Sequence, residues 1–293
     1  MGFLRRSGIC TLAFLAGSAA LQFEPAIIRD VAFGHGSEQV TVGAVRVPLW
    51  SAAFAQSTDS FTLEDVRFTW GPFTYEAKRI DFTDTKASRR NFETLFSSTT
   101  EPMAERVARI SAREVTAPEV KVTQKLGNRT QTVLYRNVSL NDIVQGQIGS
   151  VTIDTMAIED TSAKGNILTS YGRTKISDLD MPAFMRLYDT KDGKAALPLT
   201  RIYGSLSMED IDVLDTGEDY SLEIERVNGR NIMARPTRDS WSGTIALISE
   251  LTDKSTTTSE EKDRLVMAVA DLLEAFDTGF VETTGIKFKS GPK

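Results

Sequence analysis

Few side chains in this chain could carry out nucleophilic or metal chemistry. His35 is the only histidine and Cys10 the only cysteine among 293 residues. A Ser-His-Asp or Cys-His arrangement would therefore need His35, which lies between two glycines in a predicted turn. We expect a loop histidine there rather than a catalytic base. Because structural zinc sites use Cys and His ligands, we expect no zinc site either.

One stretch looks like a motif of penicillin-recognising enzymes. Ser259 and Lys262, followed by Lys289-Ser290-Gly291, match the Ser-x-x-Lys and Lys-Ser-Gly elements of that class. Those enzymes place a large domain between the two elements, and the short stretch here leaves no room for one. We therefore interpret the match as coincidence.

The acidic residues do not indicate a site. The segment from Asp212 to Glu223 has the ends and the glycine of a calcium loop, but Leu214 and Thr216 occupy two positions that need acids. A hairpin turn explains this segment better. No pair stands out among the 40 acids as a glycosidase pair would, so we predict no catalytic residues, no cofactor and no bound metal.

Composition and charge narrow the function class. With 41% hydrophobic and 25% charged residues the chain is typical of a globular protein. Its formal net charge of −6 disfavours a nucleic-acid partner, because phosphate binding requires a basic surface. We expect no nucleic-acid binding.

The N-terminus has the pattern of an export leader. Arg5 and Arg6 precede a largely apolar stretch over residues 9–23, and Ser18-Ala19-Ala20 offers the small residues that a signal peptidase requires. A transmembrane helix needs ~20 apolar residues, and this run is short and diluted by small residues. We expect residues 1–22 to be a cleaved signal peptide, with a retained membrane anchor through residues 9–23 as the alternative. Either predicts export, to the periplasm or to the inner membrane facing the periplasm.

A six-residue phrase recurs along the chain and suggests internal repetition. It consists of an apolar residue, Ser or Thr, two variable positions, an acid and an apolar residue. It occurs at residues 61–66, 110–115, 138–143, 176–181 and 206–211. Tyr135 and Tyr203 stand three residues before two of the copies, and Tyr171 five before another. This pattern predicts a chain built from similar strand units.

The periodicity predicts mostly strands, with short helices between them. Residues 40–47 alternate as a strand does, and 61–70 with 73–82 predict a hairpin around Gly71-Pro72. The alternation fails at Lys78-Arg79, where a bulge would restore the inward face. Short helices are predicted over residues 88–96 and 102–107, and from Asp180 to about Tyr188. The second hairpin is expected over residues 202–213 and 220–227.

The C-terminal part has a different pattern. Residues 241–251 are plausibly helical, and 260–276 form an amphipathic helix that begins with a Thr258–Glu261 capping box. The apolar side of this helix is predicted to contain Leu265, Val266, Val269, Leu272, Leu273 and Phe276. A strand-like segment at residues 285–289 follows, and one interpretation is that it closes a sheet formed earlier.

The aromatic residues of the first hairpin allow two interpretations. They are Phe61, Phe68, Trp70, Phe73, Tyr75 and Phe82. One interpretation is an ordinary sheet core covered by helices. The other is an open groove whose apolar face holds a ligand such as an acyl chain.

The leader, the phrase and the short helices together resemble the repetitive, β-rich envelope proteins of the AsmA-like kind, over roughly residues 1–230. The resemblance implies a long twisted antiparallel sheet at or facing the inner membrane, with a role in lipid handling or envelope integrity. It carries over no individual functional residue.

These observations define one expected architecture and three hypotheses for function. We predict a mainly β protein with short helices, with a repetitive β-rich domain over residues 23–236 and a helical segment over 237–293 that ends in a strand. The first hypothesis is a non-catalytic envelope protein that binds a lipid or another envelope component. The alternatives are a scaffold that recruits protein partners and an extracytoplasmic hydrolase that uses carboxylates.

Overall fold

The computed structural model of the protein describes ten segments of the chain. They are residues 26–35, 38–47, 60–70, 73–85, 101–126, 129–162, 165–190, 197–217, 219–254 and 256–290. The predicted leader at residues 1–22 and the predicted helix at 88–96 lie outside these segments. No helix within them is long and apolar enough to cross a membrane.

The described residues form fourteen strands and four helices. The strands are β1 (Ala26–His35), β2 (Glu38–Val47), β3 (Ser60–Trp70), β4 (Phe73–Thr85), β5 (Ala112–Leu126), β6 (Arg129–Val144), β7 (Gln147–Ser162), β8 (Gly165–Tyr171), β9 (Thr174–Asp180), β10 (Thr200–Asp215), β11 (Tyr220–Ala234), β12 (Phe276–Asp277), β13 (Phe280–Thr284) and β14 (Lys287–Ser290). The helices are α1 (Met103–Val107), α2 (Met181–Asp189), α3 (Ser240–Asp253) and α4 (Ser259–Glu274).

All fourteen strands belong to one antiparallel sheet, which confirms the predicted mainly β fold with short helices. From β1 to β8 each strand pairs with the next along the chain, so this part of the sheet follows the order of the sequence. β9 lies between β7 and β10, and the last three strands all pair with β11. The C-terminal segment therefore returns to the sheet formed earlier.

The predicted hairpins are present, as are the predicted helices near residues 102–107 and after Asp180. In the first hairpin Phe61 is in register with Phe82 and Trp70 with Phe73. β10 and β11 form the second hairpin. α1 follows Pro102, and α2 begins at Asp180, whose carboxylate accepts a hydrogen bond from the Ala183 backbone N–H at 2.8 Å. Such an N-cap satisfies a donor that the helix itself leaves unpaired.

One face of the sheet carries the helices, and we call it the inner face. Met103 of α1 with Met185 and Tyr188 of α2 packs against Phe68 and Phe73 of the first hairpin. Further along α2, buried side chains pack against Ile202 of β10 and Ala234 of β11. The main core spreads over the inward residues of β2 to β9. The opposite face is the outer face.

Inward residues normally alternate along a strand, but here the alternation changes phase along a line that crosses the sheet. At this line two consecutive residues, instead of one, separate the inward ones; in β3, for example, the core side chains are Phe61, Leu63, Val66 and Phe68. We call this line the first crease. From β3 to β11 it consists of residues 64–65, 78–79, 118–119, 136–137, 154–155, 172–173, 209–210 and 225–226.

A second crease runs beside the first. It consists of residues 83–84, 113–114, 141–142, 149–150, 177–178, 204–205 and 230–231. In both creases some strands carry a residue with positive φ, and all of these are Asp or Asn: Asp65, Asp84, Asn137, Asp142, Asp178, Asp210 and Asn231. Asp and Asn are the side-chain-bearing residues that adopt this left-handed conformation most readily.

The recurring six-residue phrase coincides with these creases. In four of its five copies, positions four and five are the crease pair, at 64–65, 113–114, 141–142 and 209–210. In the copy at 176–181 the crease pair is instead 177–178. The phrase therefore marks a local backbone conformation. That the chain consists of repeated units stays a prediction.

The predicted bulge at Lys78-Arg79 is wrong, although the inward face is restored there. Leu63 pairs with Ile80 and Val66 with Ala77, so both strands contain the same number of residues between these pairs and no residue is inserted. The phase changes because Asp65, opposite Lys78, has φ of 50°. A left-handed residue and a bulge leave the same gap in the hydrophobic pattern.

Charged side chains line the outer surface of the first crease. Neighbouring strands present opposite charges there: Arg136 faces Glu119, Arg173 faces Asp154 and Arg226 faces Glu209, at 4.0, 4.0 and 3.4 Å. These pairs are exposed and contribute little individually, at ~0–1 kcal/mol each. Their alternation avoids like charges on adjacent strands.

α4 begins as predicted but packs differently from the prediction. The Thr258 side chain and the Glu261 backbone N–H form the expected capping box, with Glu261 reaching back to the Thr258 N–H at 2.9 Å. The predicted apolar face, however, is only partly covered. Val266 and Leu273 are 67% and 72% exposed, and the side that meets the protein centres on buried Asp271. Local periodicity identified an apolar stripe but not which side of the helix docks.

A buried ion pair attaches α4 to the end of β11. The Arg235 guanidinium donates to Asp271 at 3.1 Å, and both side chains are less than one tenth exposed. The second Asp271 oxygen accepts from the Arg238 backbone N–H at 2.7 Å. The Arg235 backbone N–H donates to the Ala275 carbonyl, and Trp241 of α3 donates to the Arg235 carbonyl. One junction thus connects a strand and two helices.

Candidate functional site: the inner face of the sheet

A continuous row of apolar and aromatic residues crosses the inner face from β2 to β14. Every neighbour in it is a register pair, and we call it the apolar row. Its members are Val40, Phe68, Tyr75, Val122, Val133, Ile158, Thr169, Val213, Leu222 and Phe288. None is charged, and the only polar side-chain groups are the hydroxyls of Tyr75 and Thr169, so the row offers a largely apolar path across the sheet.

The cover over the apolar row decreases from one end to the other. Val40 is 1% exposed, whereas Phe288, on the last strand, is 63% exposed. Ile286, beside Phe288 on the inner face, is 61% exposed. Exposed large apolar side chains in a contiguous group are a signature of an interaction surface. The structure therefore fills the inner face near the first hairpin and leaves it open near β14.

Half-buried tyrosines lie on the inner face, in or beside the apolar row. Tyr75 of β4 stacks on Phe68 with 5.5 Å between ring centroids, and Tyr188 of α2 meets Phe73 edge-on at 6.1 Å. Tyr135 of β6 and Tyr171 of β8 are both in register with Met156 of the strand between them. Within the described part of the chain no protein group hydrogen-bonds the hydroxyls of Tyr75, Tyr135 or Tyr171. These hydroxyls are free to pair with water or a ligand.

Burial changes the acidity of these phenols. It raises the pKa of Tyr75, Tyr135, Tyr171, Tyr188 and Tyr203, and proximity of Tyr188 raises the pKa of Tyr75 and Tyr135 further. Each remains a neutral hydrogen-bond donor at physiological pH. The inner face therefore combines apolar floor and neutral polar groups without charge.

The raised pKa values predict alkaline instability. Above about pH 10 the unfolded chain loses phenolic protons that the folded chain retains, so the tyrosine contribution to stability should be constant below that pH and fall above it. We expect phenolate absorbance of these five tyrosines to appear only as circular dichroism reports loss of the sheet. Ionisation of all five near pH 10 with the sheet intact would contradict this prediction.

Five of the six aromatic residues predicted as a ligand face have described side chains, and all five contact other side chains on the inner face. Phe61 and Phe82 stack at 4.5 Å inside the main core, and Phe73 lies under α1 and α2. Phe68 and Tyr75 belong to the covered part of the apolar row. Trp70 pairs with Phe73 across the hairpin, but its side chain lies outside the described atoms. Most of the predicted face thus contacts the protein's own side chains.

Sequence reasoning missed the exposed end of the row. Val213, Leu222, Ile286 and Phe288 are far apart in the sequence and meet only through the pairing of β10, β11 and β14. The sequence did indicate two of the tyrosines, because Tyr135 and Tyr171 precede copies of the six-residue phrase. Nothing in the local pattern indicated that they share a face with Tyr75.

The outer face has a depression on the same strands. It has a volume of about 520 Å³ and is lined by Leu134, Leu168 and Leu214 together with Glu159, Asp212 and Glu223. Lys287 and Lys289 pair with Glu223 at 3.3 and 3.2 Å, and they lower the pKa of that carboxyl. The carboxylates around this depression make it a poor site for an anionic ligand.

The carboxylates of the described segments provide no support for a hydrolase site. A second depression of about 360 Å³ is lined by Asp142, Asp178 and Asp180 with Arg201, and no group of acids in the described segments is arranged to hold a metal ion. Asp81, Glu223 and Glu261 have a lowered pKa because of Arg79, the two lysines and Lys254 respectively. A carboxyl group that acts as a general acid needs a raised pKa instead. His35 ends β1, in register with Glu38.

No protein-family model, curated protein or solved structure matches this chain.

Proposed function

We propose that the protein is a non-catalytic binding protein of the cell envelope that holds a lipid, or another apolar envelope component, on the inner face of its sheet. The observation that supports this most is the apolar row, which has no charged member and ends at the exposed Phe288. An acyl chain would lie over Val213, Leu222 and Phe288. The polar part of the ligand would pair with the free tyrosine hydroxyls further in.

The inner face suits such a ligand better than the outer depression does. Acyl chains gain free energy from leaving water in proportion to the apolar area that is covered. The outer depression supplies some of that area but surrounds it with Glu159, Asp212 and Glu223. Along the apolar row the only polar groups are neutral hydroxyls, which place no charge against a lipid headgroup.

Export and membrane proximity are part of the same proposal. The expected leader at residues 1–22 and the resemblance to AsmA-like envelope proteins support a location in the periplasm, or at the inner membrane facing it. A protein scaffold is the second candidate, and the uncovered apolar side of α4 favours it. No described arrangement of carboxylates favours the hydrolase.

Two phenylalanines on neighbouring edge strands provide a matched test of the binding face. Phe288 of β14 is 63% exposed on the inner face, and Phe280 of β13 is 56% exposed beside Arg230 on the outer face. Phe288→Ser removes ~1–2 kcal/mol of apolar contact with a ligand on the inner face. We expect it to weaken binding of the fluorescent fatty acid cis-parinaric acid about tenfold, with Phe280→Ser unchanged.

The measurement is a fluorescence titration of the three proteins, with thermal melts to show that both variants fold. Equal weakening by both substitutions would mean non-specific adsorption to the edge of the sheet. Absence of saturable binding to the unmodified protein would contradict the proposal.

A further inference from the structure

Three hydroxyl-bearing side chains occupy neighbouring positions on the inner face. Tyr135 of β6 and Tyr171 of β8 are both in register with Met156 of β7. Thr174 of β9 is in register with Ile153 of β7, across the first crease from Tyr171. Because Met156 and Ile153 both belong to the main core, the three residues face the same side of the sheet. We call Tyr135, Tyr171 and Thr174 the hydroxyl cluster.

The members of the hydroxyl cluster lack hydrogen-bond partners within the described part of the chain. Thr174 is 4% exposed, and its buried hydroxyl has no partner there. The hydroxyls of Tyr135 and Tyr171 have none either. A buried hydroxyl without a partner costs free energy, because it gives up its hydrogen bonds to water on folding, and native proteins rarely leave such groups unpaired. The hydroxyl cluster therefore indicates a place where a bound molecule supplies the missing hydrogen bonds.

The surroundings of the hydroxyl cluster are uncharged. Its members are in register with apolar side chains, for example Val120 beside Tyr135 and Met208 beside Thr174. A cation close to the two phenols would lower their pKa. Burial and neighbouring phenols raise it instead, and no cation of the described residues lowers it, the buried Arg106 of α1 included. An anionic group placed here would be buried without a counter-charge, which costs far more than burial of a neutral acceptor.

We infer that the hydroxyl cluster binds the head of the lipid proposed above, and that this head is an uncharged oxygen group such as an ester carbonyl or an alcohol. The three hydroxyls can donate to a carbonyl oxygen, and they can also accept from an alcohol. Acylglycerols carry both groups, whereas fatty acid anions and phospholipids carry a charge. This selectivity rests on the proposed binding function and goes beyond it, because it specifies the class of lipid.

The hydroxyl cluster is placed so that the chain of such a lipid reaches the open end of the apolar row. Tyr171 lies two residues along β8 from Thr169, which is a member of the row. From Thr169 the row continues through Val213 and Leu222 to Phe288. This path crosses three strand spacings, or about 14 Å, which an extended acyl chain can span. The head then lies against the hydroxyls and the chain against the apolar side chains.

Two fluorescent probes with the same chain test the selectivity. They are cis-parinaric acid, which is ionised at about pH 8, and its uncharged methyl ester. We expect the unmodified protein to bind the ester at least ~tenfold more tightly than the acid. Tyr135→Phe and Thr174→Val each remove a hydroxyl and keep the shape of the side chain, so each should weaken binding of the ester by about three- to tenfold. Tyr203→Phe is the matched control, because Tyr203 packs in the core between α2 and β10, outside the hydroxyl cluster. It should bind the ester normally.

The measurement is a fluorescence titration of each protein with both probes, with thermal melts to show that the variants fold. Binding of the acid as tight as that of the ester would overturn the assignment of an uncharged head. Normal binding of the ester by Tyr135→Phe and Thr174→Val, with weak binding by Phe288→Ser, would overturn the role of the hydroxyl cluster and leave the proposed function standing. Absence of saturable binding of either probe would contradict the proposed function itself.

Discussion

Replacing Asp271 by Ala should destabilise the protein by about 3–5 kcal/mol, the largest effect expected of a single side chain here. The substitution leaves the Arg235 guanidinium buried, with Glu274 at 3.8 Å as its remaining acidic neighbour, and Glu274 is 77% exposed. It also removes the acceptor of the Arg238 backbone N–H. An uncompensated buried charge costs more than the pair contributes while it is intact.

The control for this prediction is the other carboxylate at the same arginine. Glu274→Ala removes an exposed partner and should cost less than ~1 kcal/mol. Urea unfolding followed by circular dichroism measures both, and Trp241 fluorescence reports on the junction because its indole N–H donates to the Arg235 carbonyl at 2.9 Å. If Asp271→Ala cost no more than Glu274→Ala, the junction would not hold α4 in place.

Adding one methyl group at Gly43 should destabilise the sheet by about 1–3 kcal/mol, and removing the Asp65 side chain should rescue it. A Cβ atom at Gly43 would lie 2.9 Å from the Asp65 Cβ, and its three nearest atoms all belong to the Asp65 side chain. Gly43 does not itself have positive φ. The destabilisation expected of Gly43→Ala therefore comes from the close contact between the added methyl group on β2 and the Asp65 side chain on β3.

The rescue is measured as a double-mutant cycle. Asp65→Gly alone should change stability by less than ~1 kcal/mol, because φ of 50° suits glycine while glycine loses entropy in a strand. In that background Gly43→Ala should cost little. Additive effects in the double variant would mean that the left-handed residue and the facing glycine are not coupled.

The creases show which part of the fold local sequence could predict. Hairpins, the Asp180 cap and the Thr258 capping box follow from a few adjacent residues, and these predictions are confirmed. The acid in the recurring phrase was also evident in the sequence. Its left-handed backbone conformation could not be predicted, because a left-handed Asp and an inserted residue produce the same shift in the hydrophobic pattern. Only the pairing of Leu63 with Ile80 distinguishes the two.

The candidate site was harder to predict for a related reason. The first hairpin contains the most aromatic side chains, and one of the two interpretations of the sequence placed the ligand there. Whether such a face is open depends on where α1 and α2 pack, which is a property of the tertiary structure. Phe288 of β14 and Leu222 of β11 become neighbours only because these two strands pair. Lys289 and Glu223, in the same two strands, also lie side by side although they are 66 residues apart in the sequence.

The same limit applies to α4. Its periodicity correctly predicted a helix with an apolar stripe. Leu265 and Leu272 turn towards the protein, while Val266 and Leu273 turn away. Because consecutive positions on a helix differ by about 100°, a broad apolar side can be divided between two contacts, and sequence cannot assign each residue to one of them.

The central claim, that the inner face holds an apolar ligand, is tested most directly by the mass of the intact protein as it is isolated. The full chain, with residues 1–22 retained, would be expressed, purified gently from membrane and soluble fractions, and examined by native mass spectrometry followed by lipid extraction. We predict one acyl lipid per chain in the unmodified protein and a reduced fraction in Phe288→Ser, with Phe280→Ser unaffected. A bare chain from both fractions, with no lipid in the extract, would contradict the claim.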